Sequence, residues 1–353
     1  MGLTSASVTA RARALGFDLC GIARAERHPR LARLAEWVAR GEAGDMTYLA
    51  RSLDERADPR QVLPTARSVV SLASVYNTAP PYSATMTESG RAVIARYAWG
   101  DDYHDVLRAR LRRLVAWMAD EAGPGFEAFS CVDSGPVQER VFAEQAGLGW
   151  IGKNTCLINP ALGSWLVLGE ILTSAELDPD RPGVDQCGTC TRCLDACPTG
   201  AIAEPYRVDA TRCLSYLTIE ARGAVDETLR PAIGREIFGC DICQDVCPWN
   251  RRGVVTGDPA WQPRAGLAYP WLVDLCRRSD DEWRRDLRAS AMRRAGLRRI
   301  RRSLAYAAAQ LPPAEARAAL DALAAHPSAG DEFVTDAIAW ARRALEARSA
   351  AAS

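Results

Sequence analysis

The chain has 353 residues, enough for two or three domains with a sizeable core, and its 44 basic and 44 acidic residues cancel, so a surface for a polyanion has to be a local patch. The 48% hydrophobic and 25% charged shares are those of an ordinary globular protein. No basic N-terminal segment leads into an apolar stretch, and the best apolar run, residues 165–172, is short and broken by Glu170, so neither secretion nor membrane insertion is expected.

Taken in order, residues 1–178 read as alternating helices and strands, an α/β domain. Residues 31–40 predict a short amphipathic helix, and 68–76 (SVVSLASVY) a buried strand. In 105–121, Leu107, Leu111, Leu114, Val115 and Met118 recur at helical spacing with arginines opposite. After Val132 the turn Asp133-Ser134-Gly135-Pro136 is expected to start a helix over 137–146, with Gly147 as its stop signal. Residues 163–173 (GSWLVLGEILT) predict a second strong strand. Pro, Asp and Gly in 178–186 mark a boundary, giving a second domain over 179–255. Beyond the loop-rich stretch 256–270 the chain reads as helical. Helices at 303–310, 314–326 and 331–347 suggest a HEAT-like domain over 256–353.

The second domain is built on cysteines. CGTCTRCLDACP (187–198) carries Cys187, Cys190, Cys193 and Cys197 in the C-x2-C-x2-C-x3-C-P spacing by which bacterial ferredoxins hold 4Fe-4S clusters, the fourth cysteine serving the other cluster. CDICQDVCPW (240–249) repeats the spacing with Val246 in the third slot, and Cys213 is the nearby cysteine able to fill the vacancy. Two clusters are therefore expected, one on Cys187, Cys190, Cys193 and Cys247, the other on Cys197, Cys213, Cys240 and Cys243. Zinc usually takes two separated C-x2-C pairs, and disulfides suit small secreted chains. Two clusters in turn point to a reducing cytoplasm. Cys20, Cys131, Cys156 and Cys276 read as packing residues.

Clusters move electrons but name no substrate. No G-x-G-x-x-G follows a strand, so a Rossmann nicotinamide site is unsupported. His104 lacks the glycine of the Asp-x-His-x-x-Gly cobalamin motif and sits at a helix start, which speaks against it as a cobalt ligand. Asp133 fits either a helix N-cap or a general acid whose pKa rises when a bulky cofactor closes over it. The glycine-rich turn 147–154 offers close backbone approach, then the ammonium of Lys153 and the amide of Asn154, suited to phosphate or cofactor amide groups. Lys153 is the only lysine in the chain.

VDSGP, then AEQAGLGWIGKN, then the two cysteine runs together resemble the epoxyqueuosine reductase family over roughly residues 10–310. That resemblance implies a cytoplasmic, cobalamin-dependent iron–sulfur enzyme that reduces epoxyqueuosine to queuosine on tRNA. Its acid matches Asp133, and its cofactor-lining segments match Arg56, Arg96, Tyr97 and Ser215. A monomer and a low-potential donor of the flavodoxin or ferredoxin type are expected as well. With a tRNA substrate implied, residues 284–302 gain a role: nine arginines against one acid, Asp286, form a concentrated phosphate-binding stretch. Arg284, Arg285, Arg293, Arg294, Arg298, Arg299, Arg301 and Arg302 are its expected contacts. The rival readings are a reductive dehalogenase-like cobalamin enzyme and a ferredoxin-type carrier.

Overall fold

The computed structural model describes residues 2–351. Its strands are β1 (Leu19–Arg24), β2 (Ser68–Val75), β3 (Val93–Ile94), β4 (Ala128–Cys131), β5 (Trp150–Ile151), β6 (Leu157–Ile158), β7 (Leu166–Thr173) and β8 (Glu236–Phe238). Four of them make one sheet in the order β1-β2-β7-β4, antiparallel throughout. The alternation of helices and strands in the sequence therefore does not produce a parallel sheet; intervening helices carry the chain between antiparallel neighbours.

Every residue of β2 is buried because both sheet faces are covered. Val70, Leu72, Val167 and Ile171 face a core shared with the helices Ser5–Ala14 and Tyr103–Ala122. Val69, Ala73, Leu168 and Leu172 face the helix Glu139–Gln145. The long helix forms where its spacing predicted, burying Leu107, Leu111, Leu114 and Met118, each burial contributing about 1.5–3 kcal/mol. Its N-cap is Asp102, whose carboxylate accepts from the backbone N–H of His104 at 3.1 Å.

β3 pairs in parallel with β8, which ties the approach to that helix directly to the cysteine-rich segment. Residues from 210–238 share one continuous core with 92–99 and with the C-terminal helices Leu272–Arg277, Asp280–Leu287, Gly296–Ala308, Pro313–Ala324 and Glu332–Ala351. Hydrophobic packing thus runs across residues 178 and 255 rather than stopping there. Among the described residues no helix is long and apolar enough to cross a membrane.

Candidate active site and cluster cradle

Asp133 lies on the bend between β4 and the helix Glu139–Gln145, with φ of +57°, a left-handed conformation that a non-glycine residue holds only when its surroundings fix it. That helix starts two residues later than the sequence suggested, and its N-cap is Gln138. Asp133 is therefore not a helix cap. Its backbone N–H donates to Glu139 Oε1 at 2.6 Å, which helps hold the bend. Its Oδ2 accepts from the Tyr103 hydroxyl at 3.0 Å and lies 3.3 Å from His104 Nε2. The side chain stays 64% exposed although protein surrounds it closely, so it lines a recess that a bound group can reach.

His104 Nδ1 lies 2.8 Å from Asp102 Oδ1, so both ring nitrogens are engaged and Asp102, His104 and Asp133 form a chain. Burial alone would lower the His104 pKa, but hydrogen bonds to Asp102 and Asp133 carry it up to about 9. Burial would raise Asp133, yet donation from His104 and Tyr103 outweighs it and holds the carboxyl below its ordinary value. In the open site the shift of Asp133 is thus opposite to the one expected for a closed pocket, and at neutral pH the proton resides on His104. Behind them Glu139 is pushed up to about 8 by burial and by the charge of Asp133. The sequence reading missed Tyr103, Glu139 and the contacts of His104 with Asp102 and Asp133. The available signal was Asp102 and His104 two apart at a helix start.

Tyr97 forms the neighbouring wall, edge-on to Tyr103 with ring centroids 5.8 Å apart, while Tyr103 stacks on His104 at 4.0 Å. Arg56 is half-buried at the same bend: its Nη1 donates to the Val137 carbonyl at 3.4 Å. Ser215 is half-buried on the helix Leu214–Ile219. Arg96 departs from expectation. It is 2% exposed, and its guanidinium donates to the carbonyls of Thr78, Pro80 and Pro81 while lying 4.5 Å from the Trp99 ring centroid. It braces the core and is withdrawn as a cofactor contact.

The expectation for the glycine-rich turn is corrected as well. Lys153 Nζ donates to the carbonyls of Gly188 at 2.6 Å and Cys190 at 2.9 Å, and Asn154 Nδ2 donates to the Cys243 carbonyl at 3.4 Å. Both residues clamp cysteine loops. Lys153, Asn154, Cys187, Cys190, Cys193 and Cys247 line a cavity of about 250 Å³, a cradle of four thiols that suits a cluster. Burial, and then its neighbours Cys247, Cys187 and Cys190, push the Cys193 thiol up to about 11. Cys213, Cys240 and Cys243 act on one another in the same way, and Cys197 acts on Cys213. Cys187, Cys190, Cys193 and Cys247 thus line one cavity, and Cys197, Cys213, Cys240 and Cys243 neighbour one another through the charges they exert. Cys156, read as a packing residue, instead lies against Cys243 as a ninth thiol.

The arginine stretch divides. Arg301 is 0% exposed and Arg302 1%: the first pairs with Asp280 at 2.9 Å, and the second donates to carbonyls of Leu217, Ala221 and Gly223. Neither reaches solvent, so both are withdrawn as RNA contacts. Arg299 is half-buried against the Ala221 and Ala295 carbonyls, and Arg298 pairs with Asp331 at 3.6 Å. Arg284, Arg285, Arg293 and Arg294 are exposed. Arg293 comes within 4.0 Å of Asp102, and Arg294 forks onto Glu220 at 2.7 and 2.9 Å. Arg293 thus stands beside the chain formed by Asp102, His104 and Asp133.

Residues 186–250 match the family described as a 4Fe-4S double cluster binding domain. Residues 56–134 match the family described as Epoxyqueuosine reductase QueG, DUF1730. The epoxyqueuosine reductase of Xanthomonas campestris is 41% identical over 96% of this chain and 95% of its own length, and that of Pseudomonas aeruginosa 42% over 94% and 91%. A crystal structure of an epoxyqueuosine reductase with an epoxyqueuosine-modified tRNA-Tyr stem loop superposes with a TM-score of 0.82 at 29% identity, covering 97% of this chain and 98% of that one. The chain belongs to the epoxyqueuosine reductase family, and it is an oxidoreductase.

Proposed function

We propose that this protein reduces the epoxide of epoxyqueuosine to the alkene of queuosine in the anticodon loop of tRNA, the last step of queuosine synthesis. Cobalamin serves as its redox cofactor and two 4Fe-4S clusters relay electrons to it. The observation that carries this reading is the accessible Asp133 carboxylate, held by Tyr103 and His104 in a recess joined through β3 and β8 to the cluster segment. The recess suits a flat macrocycle: the rings of Tyr97, Tyr103 and His104 stand beside the carboxylate, and both nitrogens of His104 are engaged, so it offers no metal ligand. Arg56, Tyr97, Asp133 and Ser215 would hold the cofactor. When bound, cobalamin supplies low-potential cobalt chemistry for opening the epoxide C–O bond.

The conversion removes one oxygen as water and consumes two electrons and two protons. His104 Nε2 passes its proton to Asp133 Oδ2, which hands it to the leaving oxygen, the second proton comes from solvent, and Asp102 keeps the imidazole oriented through Nδ1. The left-handed bend, fixed by Glu139, aims the carboxylate into the recess. Electrons enter from a low-potential donor of the flavodoxin or ferredoxin type, in the cytoplasm, to a monomeric enzyme. A catalytic domain over 1–178, a cluster domain over 179–255 and a HEAT-like domain over 256–353 divide the work.

Arg284, Arg285, Arg293 and Arg294 supply the electrostatic grip on tRNA, with Arg298 beside them. Reversing Arg285 and Arg293 to Glu is expected to weaken binding of the tRNA stem loop. The salt dependence of log Kd should flatten by about one unit of slope for each phosphate no longer neutralised. Filter binding across a salt series measures this. An unchanged slope rejects these side chains as phosphate ligands.

A further inference from the structure

The single lysine of a chain otherwise served by arginine sits against the first cysteine loop. β5 and β6 form a small antiparallel hairpin that presents Trp150 from its first strand and Lys153 from its turn. The hairpin closes tightly: a Cβ on Gly149 would lie 2.1 Å from the Ile158 carbonyl, so no side chain fits there. Trp150 is 1% exposed, and its Nε1 donates to Cys187 Sγ at 3.4 Å. Its ring packs edge-on to Trp249, 5.0 Å between centroids, just after Cys247 and Pro248. Lys153 places its ammonium between the carbonyls of Gly188 and Cys190. A compact ammonium with three donors satisfies two converging carbonyls where a planar guanidinium would need more width.

An N–H donated to a ligand sulfur draws charge from the thiolate, and a nearby cation stabilises the extra electron of a reduced cluster. Both act in one direction, and both are recognised controls of cluster potential. We propose that Trp150 and Lys153 are positioning residues that raise the reduction potential of the cluster held by Cys187, Cys190, Cys193 and Cys247 above the value its sulfur ligands alone would give. This inference rests on the two-cluster reading.

The test is an EPR-monitored redox titration of the anaerobically reconstituted protein and its Lys153→Met and Trp150→Phe variants, with iron content measured in parallel. Each variant is expected to shift one of the two cluster signals to a lower potential. A tenfold fall in the ratio of reduced to oxidised cluster, about 59 mV for one electron, is the expected size, and the second signal should move less. Both signals unmoved in both variants overturns the proposal. If Lys153→Met does not assemble clusters, Trp150→Phe decides alone, since it keeps an aromatic ring at the site, although a smaller one, and removes the N–H donor. Wild-type protein that takes up no iron would instead overturn the cluster reading beneath the proposal.

Discussion

Asp133→Asn is expected to lower turnover by roughly a hundred- to ten-thousand-fold, the range over which positioned general acids contribute. The amide keeps the shape of the carboxyl and still accepts from Tyr103, so the bend and the loading of cofactor and clusters should be preserved. What it loses is the capacity to take a proton from His104 and release it to a leaving oxygen. Undiminished turnover in that variant would remove Asp133 from the mechanism. His104 sets the pH range of this step. Its pKa is raised from 6.5 to about 9, so the protonated form prevails at neutral pH and is lost as pH rises through about 9. The rate should fall across that limb, and His104→Gln should abolish the limb. By linkage the same shift contributes folding stability that is complete below about 6.5 and lost as pH rises through about 9.

Arg301→Met carries the largest expected loss of stability, about 3–5 kcal/mol, because it leaves a buried carboxylate without its cation. Arg301 is fully enclosed on the helix Gly296–Ala308, and Asp280 keeps only Ser328, through its hydroxyl at 2.8 Å and its N–H at 3.2 Å. The Cys276 carbonyl also loses a donor. Chemical denaturation measures the effect. Binding of tRNA by the folded fraction should be unchanged, since the side chain never meets solvent. A variant of normal stability with weakened RNA binding would return Arg301 to the RNA surface.

The 4Fe-4S domain was legible in the sequence because ferredoxin-type spacing is fixed one residue at a time, and residues 186–250 match that family. β2 and β7 were legible because burial on both faces demands a continuous apolar run. β1 escaped notice: it is short, partly exposed and interrupted by Gly21, where a Cβ would lie 2.1 Å from the Ala146 carbonyl. Charge density over 284–302 counted arginines without asking which way a helix turns them. Arg301 lies four residues after Leu297 and three before Leu304, on the apolar stripe, and that spacing was the signal of its burial. Arg96, between AVIA and Trp99, carried the same signal. Lys153 could not be assigned from its neighbours, because the carbonyls it clamps lie more than thirty residues along the chain. The link from Asp102 to Asp133 through His104 likewise depends on tertiary packing.

The central claim is that the Asp133 recess, supplied by two clusters and cobalamin, removes the oxygen of epoxyqueuosine in tRNA. Its most direct measurement is nucleoside mass spectrometry of epoxyqueuosine-containing tRNA after incubation with the reconstituted protein and a strong reductant, with and without cobalamin. Queuosine should appear, and only when cobalamin is present. Equal conversion without cobalamin, or epoxyqueuosine returned unchanged in both arms, would contradict the account.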